Sequence, residues 1–409
     1  MSSGNIDKKF ISPRPIICQL LAMIPDEIFS SQIEECKSDK YYKRMMTRDH
    51  FICMFYAVLT GHSSLREVCK NIALSSFKLV SAGLKQLPCR STLSDANKNR
   101  DSVFFSRLYE RLYQHFKPQL KAQVMDIGGE VDPNNVEVFD STTITLFKEI
   151  LKGAGRKPHQ GSKKGGAKAF TKMNLGEGVP DFVCIKAAST NENTFLKVVS
   201  LPQGAIAVFD KGFNRYGYFD EWTKQGRHFV TRLKDNARYE VIENHQSFDD
   251  SIEEDQTIRL AYKHKGSSRT VDLRLVTYTD PLTGETLRFL TNLMGHAANT
   301  ICLLYKNRWV IEVLFKRIKQ NFELKYFISD SENGIKIQIW MALILHLIFT
   351  VLHKQIKEAE DFTTMVQVAA KNLSSIINFK RFLTNTEAYC RRWYAQEMGK
   401  VQLEFNWSG

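Results

Sequence analysis

Three stretches of the chain carry residues of the right type and spacing for chemistry on a phosphate. Asp140 closes the run Val136-Glu137-Val138-Phe139-Asp140, and Asp210 closes Ala205-Ile206-Ala207-Val208-Phe209-Asp210. Each run is apolar and β-branched, ends on an aspartate, and then passes into polar or glycine residues (Ser141-Thr142-Thr143 and Lys211-Gly212). That pattern predicts a buried strand delivering a carboxylate at its C-terminal end, the edge where ligands gather in open α/β sheets. The third stretch is Tyr305 to Phe322, YKNRWVIEVLFKRIKQNF. Read as one helix, it places Ile311, Leu314, Phe315, Ile318 and Phe322 on a core-facing stripe. Tyr305, Arg308, Glu312 and Lys319 then share an adjacent arc, so a single carboxylate is flanked by two cations and a phenol. Two strand-end aspartates and one helical glutamate make an all-oxygen set, which suits a hard cation such as Mg²⁺. Two such ions, about 3.5–4 Å apart, clamp the attacking and leaving oxygens of an in-line phosphoryl displacement. Taken singly, each aspartate equally suits a turn or a helix N-cap. The Arg308–Glu312 and Glu312–Lys316 spacings equally suit surface ion pairs worth a few tenths of a kcal/mol. The metal-site reading rests on the three stretches together.

The spacing Y-x2-R-x3-E-x6-K at Tyr305, Arg308, Glu312 and Lys319 resembles the signature of DDE transposases of bacterial insertion sequences, in the branch with a Y-R-E-K motif. Phe139-Asp140-Ser141-Thr142 is similar to that family's first catalytic aspartate. Phe209-Asp210-Lys211-Gly212-Phe213 is similar to the second, with Lys211 where arginine is common. The resemblance runs from about Arg14 to His353. It implies an α/β fold: a ribonuclease-H-like mixed sheet core with a β-rich insertion before the glutamate helix, plus an all-α N-terminal domain and a helical C-terminal tail. It implies Asp140, Asp210 and Glu312 as catalytic residues and ligands of two Mg²⁺ ions, with Mn²⁺ substituting. Tyr305, Arg308 and Lys319 would contact the transposon-end strand. The implied partner is double-stranded DNA, both terminal inverted repeats and target, with a homodimer on the DNA and a hairpin at the transposon end as intermediate. Two other functions suit the same residues: a metal-dependent DNA nuclease without strand transfer, and a catalytically silent DNA-binding repressor. Retention of all three carboxylates argues against the second.

The composition agrees with a nucleic-acid partner. The 409 residues carry a formal net charge of +13, with 43% hydrophobic and 25% charged residues. This is a globular protein drawn to a polyanion, nucleic acid before anionic membrane. Eight cysteines at positions 18, 36, 53, 69, 89, 184, 302 and 390 form no C-x2-C pair. Zinc ribbons and a disulfide scaffold are not expected, and a reducing cytoplasm is. The stretch MSSGNIDKKFISPRP has no apolar core of a signal peptide. Ile335 to Leu352 is interrupted by Lys336, Gln338 and His346, and is expected as a buried core helix rather than a membrane span. The expected location is the bacterial cytoplasm, at the nucleoid when on DNA.

The elements that must position the acids follow from turn and cap signals. Residues 1–128 are expected as a helical DNA-binding domain, in which Arg90, Ser91, Thr92, Lys98 and Arg100 would meet DNA as a recognition helix does. Residues 129–227 would form the first half of the core. Within them the basic, glycine-rich loop from Lys152 to Lys172 suits a DNA backbone, with Lys163 and Lys164 as contacts. Residues 228–299 read as the β-rich insertion, with Asp280-Pro281-Leu282-Thr283-Gly284 a hairpin turn and Arg232 and Lys234 as DNA contacts. Residues 300–356 would complete the core with the Glu312 helix, and 357–409 would form a helical C-terminal region.

Overall fold

The structure is a computed structural model, and it describes residues 14–120, 127, 129–145, 166–247, 249–264, 266–322, 324, 327–356, 361–392 and 394–395. The chain divides into two units. One, Leu120–Lys316, is built on a single sheet; the other is helical and is formed by the segments on either side.

The helical unit begins with α1 (Ile16–Leu21), α2 (Asp26–Cys36), α3 (Thr47–Thr60), α4 (Leu65–Leu74), α5 (Ser76–Ser81), α6 (Arg90–Asn99) and α7 (Val103–Leu120). Its breaks sit where the sequence signals them. Pro25 precedes α2, and Gly61 ends α3 in the left-handed conformation at φ 70°. Ser64 caps α4, its hydroxyl accepting the Glu67 N–H while Glu67 reaches back to the Ser63 N–H. The polar segment Asp95–Arg100 lies mostly in helix α6, which also carries Arg90, Ser91 and Thr92.

The sheet unit runs β1 (Val136–Thr145), β2 (Gly166–Asn174), β3 (Pro180–Ala187), α8 (Asn193–Leu196), β4 (Ile206–Phe209), α9 (Tyr216–Lys224) and β5 (His228–Arg232). Then come β6 (Tyr239–Asn244), β7 (Ile252–His264), β8 (Ser267–Thr279), β9 (Thr286–Thr291), α10 (Ala298–Lys306) and α11 (Trp309–Asn321), which leaves this unit after Lys316. The strand order is β3-β2-β1-β4-β5-β9-β8-β7-β6. β1, β4 and β5 are parallel neighbours, and every other pairing is antiparallel. A strand, a hairpin, a helix, a parallel strand and a further helix and strand are the elements of the expected ribonuclease-H-like half. β5, which the sequence reading placed at the head of the insertion, pairs parallel with β4. β9 then pairs antiparallel with β5, so the inserted strands continue the same sheet.

One apolar cluster underlies this continuity. Phe139 stacks on Phe209 with ring centres 4.5 Å apart, and Phe219 on Phe229 at 4.2 Å. The same buried cluster takes in Phe170, Phe195 and Trp222, and then Ile258, Leu260, Leu273 and Leu275 from β7 and β8. Each such side chain contributes about 1.5–3 kcal/mol on burial. The cluster therefore anchors the ends of β1 and β4 through Phe139 and Phe209.

The helical unit is completed by α12 (Glu332–Gln355), α13 (Phe362–Lys371) and α14 (Phe379–Thr384). α12 contains the apolar run Ile335–Leu352, packs against α3, α6 and α13, and is buried along most of its length. It is the one helix among the described residues long and apolar enough to cross a membrane, and here it is core. Arg100 corrects the expectation of a DNA contact. Its side chain is fully buried, donates to the carbonyls of Ser38 (3.2 Å) and Met45 (2.6 Å), and lies 4.1 Å from the centre of the Tyr42 ring. Arg90, Ser91 and Lys98 are exposed on α6, with Thr92 partly so.

Candidate active site

Parallel pairing brings the two aspartates together. Phe139 of β1 lies in register with Phe209 of β4, so the next residues are Asp140 and Asp210. Side chains alternate across a strand, and with the two phenylalanines in the core the carboxylates turn to the opposite face. The Ser141 N–H donates to Asp140 Oδ1 at 2.7 Å. Asp210 caps a short turn, Lys211–Phe213, its Oδ2 accepting the Gly212 N–H at 3.1 Å.

Glu312 lies in the first turn of α11. The expected single helix from Tyr305 to Phe322 is two: α10 ends at Lys306 and α11 starts at Trp309. At the break the backbone closes with three-residue rather than four-residue hydrogen bonds, Arg308 N to Tyr305 O, Val310 N to Asn307 O and Ile311 N to Arg308 O. The Asn307 side chain also donates to the Leu303 carbonyl at 2.9 Å. Arg308 sits in this turn and reaches both ways. Its Nη1 donates to Asp140 Oδ2 at 3.1 Å and its Nη2 to Glu312 Oε1 at 2.6 Å. One guanidinium thus joins the strand carboxylate to the helical one, with its side chain only 15% exposed.

Asp140 is the most buried of the three carboxylates and feels the charge of the other two. Burial, first, pushes the Asp140 carboxyl up to about 6; the Asp210 and Glu312 charges push the same way, and the Ser141 N–H and Arg308 oppose them. Tyr305, at the end of α10, is buried, with its ring 4.9 Å from Phe289 and 5.6 Å from the Arg308 guanidinium. Arg232, at the end of β5, places Nη2 3.7 Å from Asp210 Oδ1. Beside it a cleft of about 490 Å³ is lined by Asp210, Lys211, Gly212, Lys234, Asp235 and Asn236. Lys211 Nζ donates to Asp235 Oδ2 at 2.9 Å there.

The structure therefore brings Asp140, Asp210, Glu312, Arg308, Tyr305 and Arg232 to one edge of the sheet. Lys319 lies seven residues beyond Glu312 on α11, in the segment assigned to the helical unit, with burial holding its amine below the ordinary lysine value. Lys163 and Lys164 lie outside the described residues. Sequence reasoning passed over Asp235 and Asn236. Their signal was the polar turn Lys234-Asp235-Asn236 directly after a buried strand, the position already used to single out Asp140 and Asp210.

Residues 133–348, just over half of the chain, match the family described as Transposase DDE domain. The chain belongs to the DDE transposase family. Residues 12–85 of this transposase also match a domain family of unknown function. It is 28% identical over 270 residues to y4zB of Sinorhizobium fredii, which is named as a transposase, covering 64% of this chain and 71% of that one. It is 26% identical over 274 residues to a protein named as the transposase of insertion sequence element IS4SA in Synechocystis sp., again 64% and 71%. To transposase InsG of insertion sequence element IS4 from Escherichia coli it is 25% identical over 179 residues, 42% of this chain and 40% of that one. A cryo-EM structure of a piggyBac transposase synaptic complex with hairpin DNA superimposes with a TM-score of 0.44 at 14% identity, over 93% of this chain and 84% of that one.

The transposase is thus an enzyme of DNA transposition with the expected ribonuclease-H-like α/β core. It acts on DNA and, as a member of this family, works with divalent metal. Among the described residues no three acidic, histidine or cysteine side chains stand close enough to hold a metal ion as placed. The donor chemistry nevertheless fits: three carboxylates face one edge, and their mutual repulsion is what a dication relieves. Arg308 occupies the space between two of them.

Proposed function

We propose that Asp140, Asp210 and Glu312 are the catalytic carboxylates and metal ligands of this transposase, and that it cleaves the ends of its own element and joins them to target DNA. The observation that carries this reading is the convergence of the ends of parallel β1 and β4 with the first turn of α11, linked through Arg308. When bound, a pair of Mg²⁺ ions, or Mn²⁺ in their place, would activate the attacking oxygen and neutralise charge at the phosphorus. The remaining work falls to the chain's own side chains. Arg308 releases Asp140 and Glu312 and turns to a phosphate of the transposon end, exchanging a bridge between two carboxylates for paired hydrogen bonds to one phosphate. Tyr305, braced on Phe289, fixes the direction of that turn. Arg232 holds the strand at the Asp210 side, Lys211 and Lys234 hold it along the neighbouring cleft, and Lys163, Lys164 and Lys319 add backbone contacts. Neither a serine nor a tyrosine nucleophile is needed, because water and then the freed 3′-hydroxyl attack in line.

The partners in this reading are the terminal inverted repeats and a target duplex, bound by a homodimer that pairs two ends, in the bacterial cytoplasm at the nucleoid. Residues 1–128, with exposed Arg90 and Lys98 on α6, would recognise the end, and the sheet unit Leu120–Lys316 would carry the chemistry. The test is cleavage of a labelled duplex carrying the element's own end in Mg²⁺, Mn²⁺ or EDTA. Metal-dependent nicking that is lost in Asp140→Asn, Asp210→Asn and Glu312→Gln, followed by joining to added target DNA, supports the reading. Cutting without joining would reassign the protein as a nuclease, and binding without cutting as a repressor.

A further inference from the structure

Lys168 is a lysine with almost no access to water. It lies in β2 opposite Thr143 of β1, just beyond Asp140, with its side chain 2% exposed. Its Nζ donates to Glu192 Oε1 at 2.8 Å and to the Thr190 carbonyl at 3.1 Å, and lies 5.4 Å from the centre of the Phe170 ring. A buried ammonium is retained only where it is paired and hydrogen-bonded, and here both partners come from the segment leading into α8. That segment borders the site. A methyl group on Gly212 would stand 3.6 Å from Asp210 Oδ2 and 3.8 Å from Glu192 Cγ, so the two acidic side chains line the same space over Gly212. The Gly212 N–H is also the donor that orients Asp210.

We propose that Lys168 and Glu192 are positioning residues for Asp210. Lys168 ties the Thr190–Glu192 segment to β2, Glu192 then walls the turn that carries Gly212, and the Gly212 N–H fixes the direction of the Asp210 carboxylate. Neutralised by Lys168, Glu192 serves as a wall instead of a competing ligand. The inference rests on the reading of Asp210 as a metal ligand, and no bond is made or broken by either residue.

The experiment measures binding of Mn²⁺ alone to the full-length protein, by loss of the free-ion EPR signal, alongside thermal unfolding, for Lys168→Met, Glu192→Gln and Asp210→Asn. Outer residues that orient ligands typically cost about 10–100-fold in metal affinity when removed. A loss of about tenfold or more in Glu192→Gln and Lys168→Met protein that is still folded, with affinity for end DNA unchanged, supports the proposal. Wild-type Mn²⁺ affinity in the folded variants, with only the melting temperature lowered, overturns it and leaves the pair as structural. If Lys168→Met does not fold, Glu192→Gln decides alone, since it keeps the shape and loses only the charge. Asp210→Asn separates the two levels: if it leaves Mn²⁺ binding unchanged, the metal-ligand reading itself has failed, and the positioning proposal with it.

Discussion

Replacing Arg308 by alanine is expected to tighten divalent-metal binding to the DNA-free protein. In the structure the guanidinium holds Asp140 Oδ2 at 3.1 Å and Glu312 Oε1 at 2.6 Å, and is mostly shielded from water. A hydrogen bond to a charged group contributes about 1.5–3 kcal/mol. Glu312 is 32% exposed, so its bond is partly screened and belongs at the low end of that range. Displacing Arg308 breaks two such bonds and costs roughly 3 kcal/mol, equivalent to about 100-fold in metal affinity. The assay is Mn²⁺ titration by calorimetry at pH 8, where Asp140, raised to about 6 by burial and its acidic neighbours, is ionised. Removing Arg308 takes away one influence that holds that carboxyl down, so the alkaline condition matters more for the variant. The same reasoning gives a second arm. If Arg308 transfers to a phosphate, end DNA should tighten Mn²⁺ binding in the wild type and do so much less in Arg308→Ala, because coupling between two ligands is reciprocal. Equal or weaker Mn²⁺ binding in the variant would refute the idea that Arg308 stands in the metal's place.

Three further outcomes follow from the packing and charge of the two units. His50 and His346 are buried and held near 3, burial being the main cause in each, with Arg100 and Arg317 respectively adding to it. Their unfolded value is near 6.5, so below that pH the unfolded chain takes up protons the native one refuses; stability is intact above about 6.5 and falls by up to about 1.4 kcal/mol per pH unit per histidine as pH drops toward 3, measurable by urea melts at pH 7 and pH 5. Phe139→Ala should cost about 3–5 kcal/mol by the same melts, since the ring is fully buried and stacked on Phe209. Arg90→Ala and Lys98→Ala should weaken binding of end DNA and lower the slope of log affinity against log salt by about one each, whereas Arg100→Ala should act through stability, by about 3 kcal/mol, because it empties a fully buried site and strands two buried carbonyls.

What the sequence allowed depended on how local the determinant is. Asp140 and Asp210 were legible because a buried strand must be written as an apolar run, and its end is marked where polarity returns. α12 was legible for the same reason: its composition leaves core or membrane, and its three polar interruptions select core. Glu312 was legible through spacing, although Tyr305 and Arg308 are not on its helix. The break at Asn307–Arg308 left no proline or glycine to announce it, because it is a tightening of the hydrogen-bond pattern within a helix-forming sequence. β6 went unread because its side chains, Glu240 and Glu243 among them, are mostly exposed, so it lacks the inward-facing apolar residues that mark a strand. Arg100 was misread because an arginine after a polar helix looks like a surface cation, and only the fold shows that Ser38 and Met45 supply carbonyls for it. Lys168 and Glu192 carry no motif, and their pairing needs β2 and the α8 approach to be placed in space.

The most direct test of the account is cleavage of a duplex carrying the element's own end by wild-type and Glu312→Gln protein, in Mg²⁺ and in EDTA. The three-carboxylate site predicts nicking at the end in Mg²⁺ with wild type only, and full-strength binding of the same duplex by the variant. Equal cutting by wild type and variant, or wild-type cutting that survives EDTA, would contradict it.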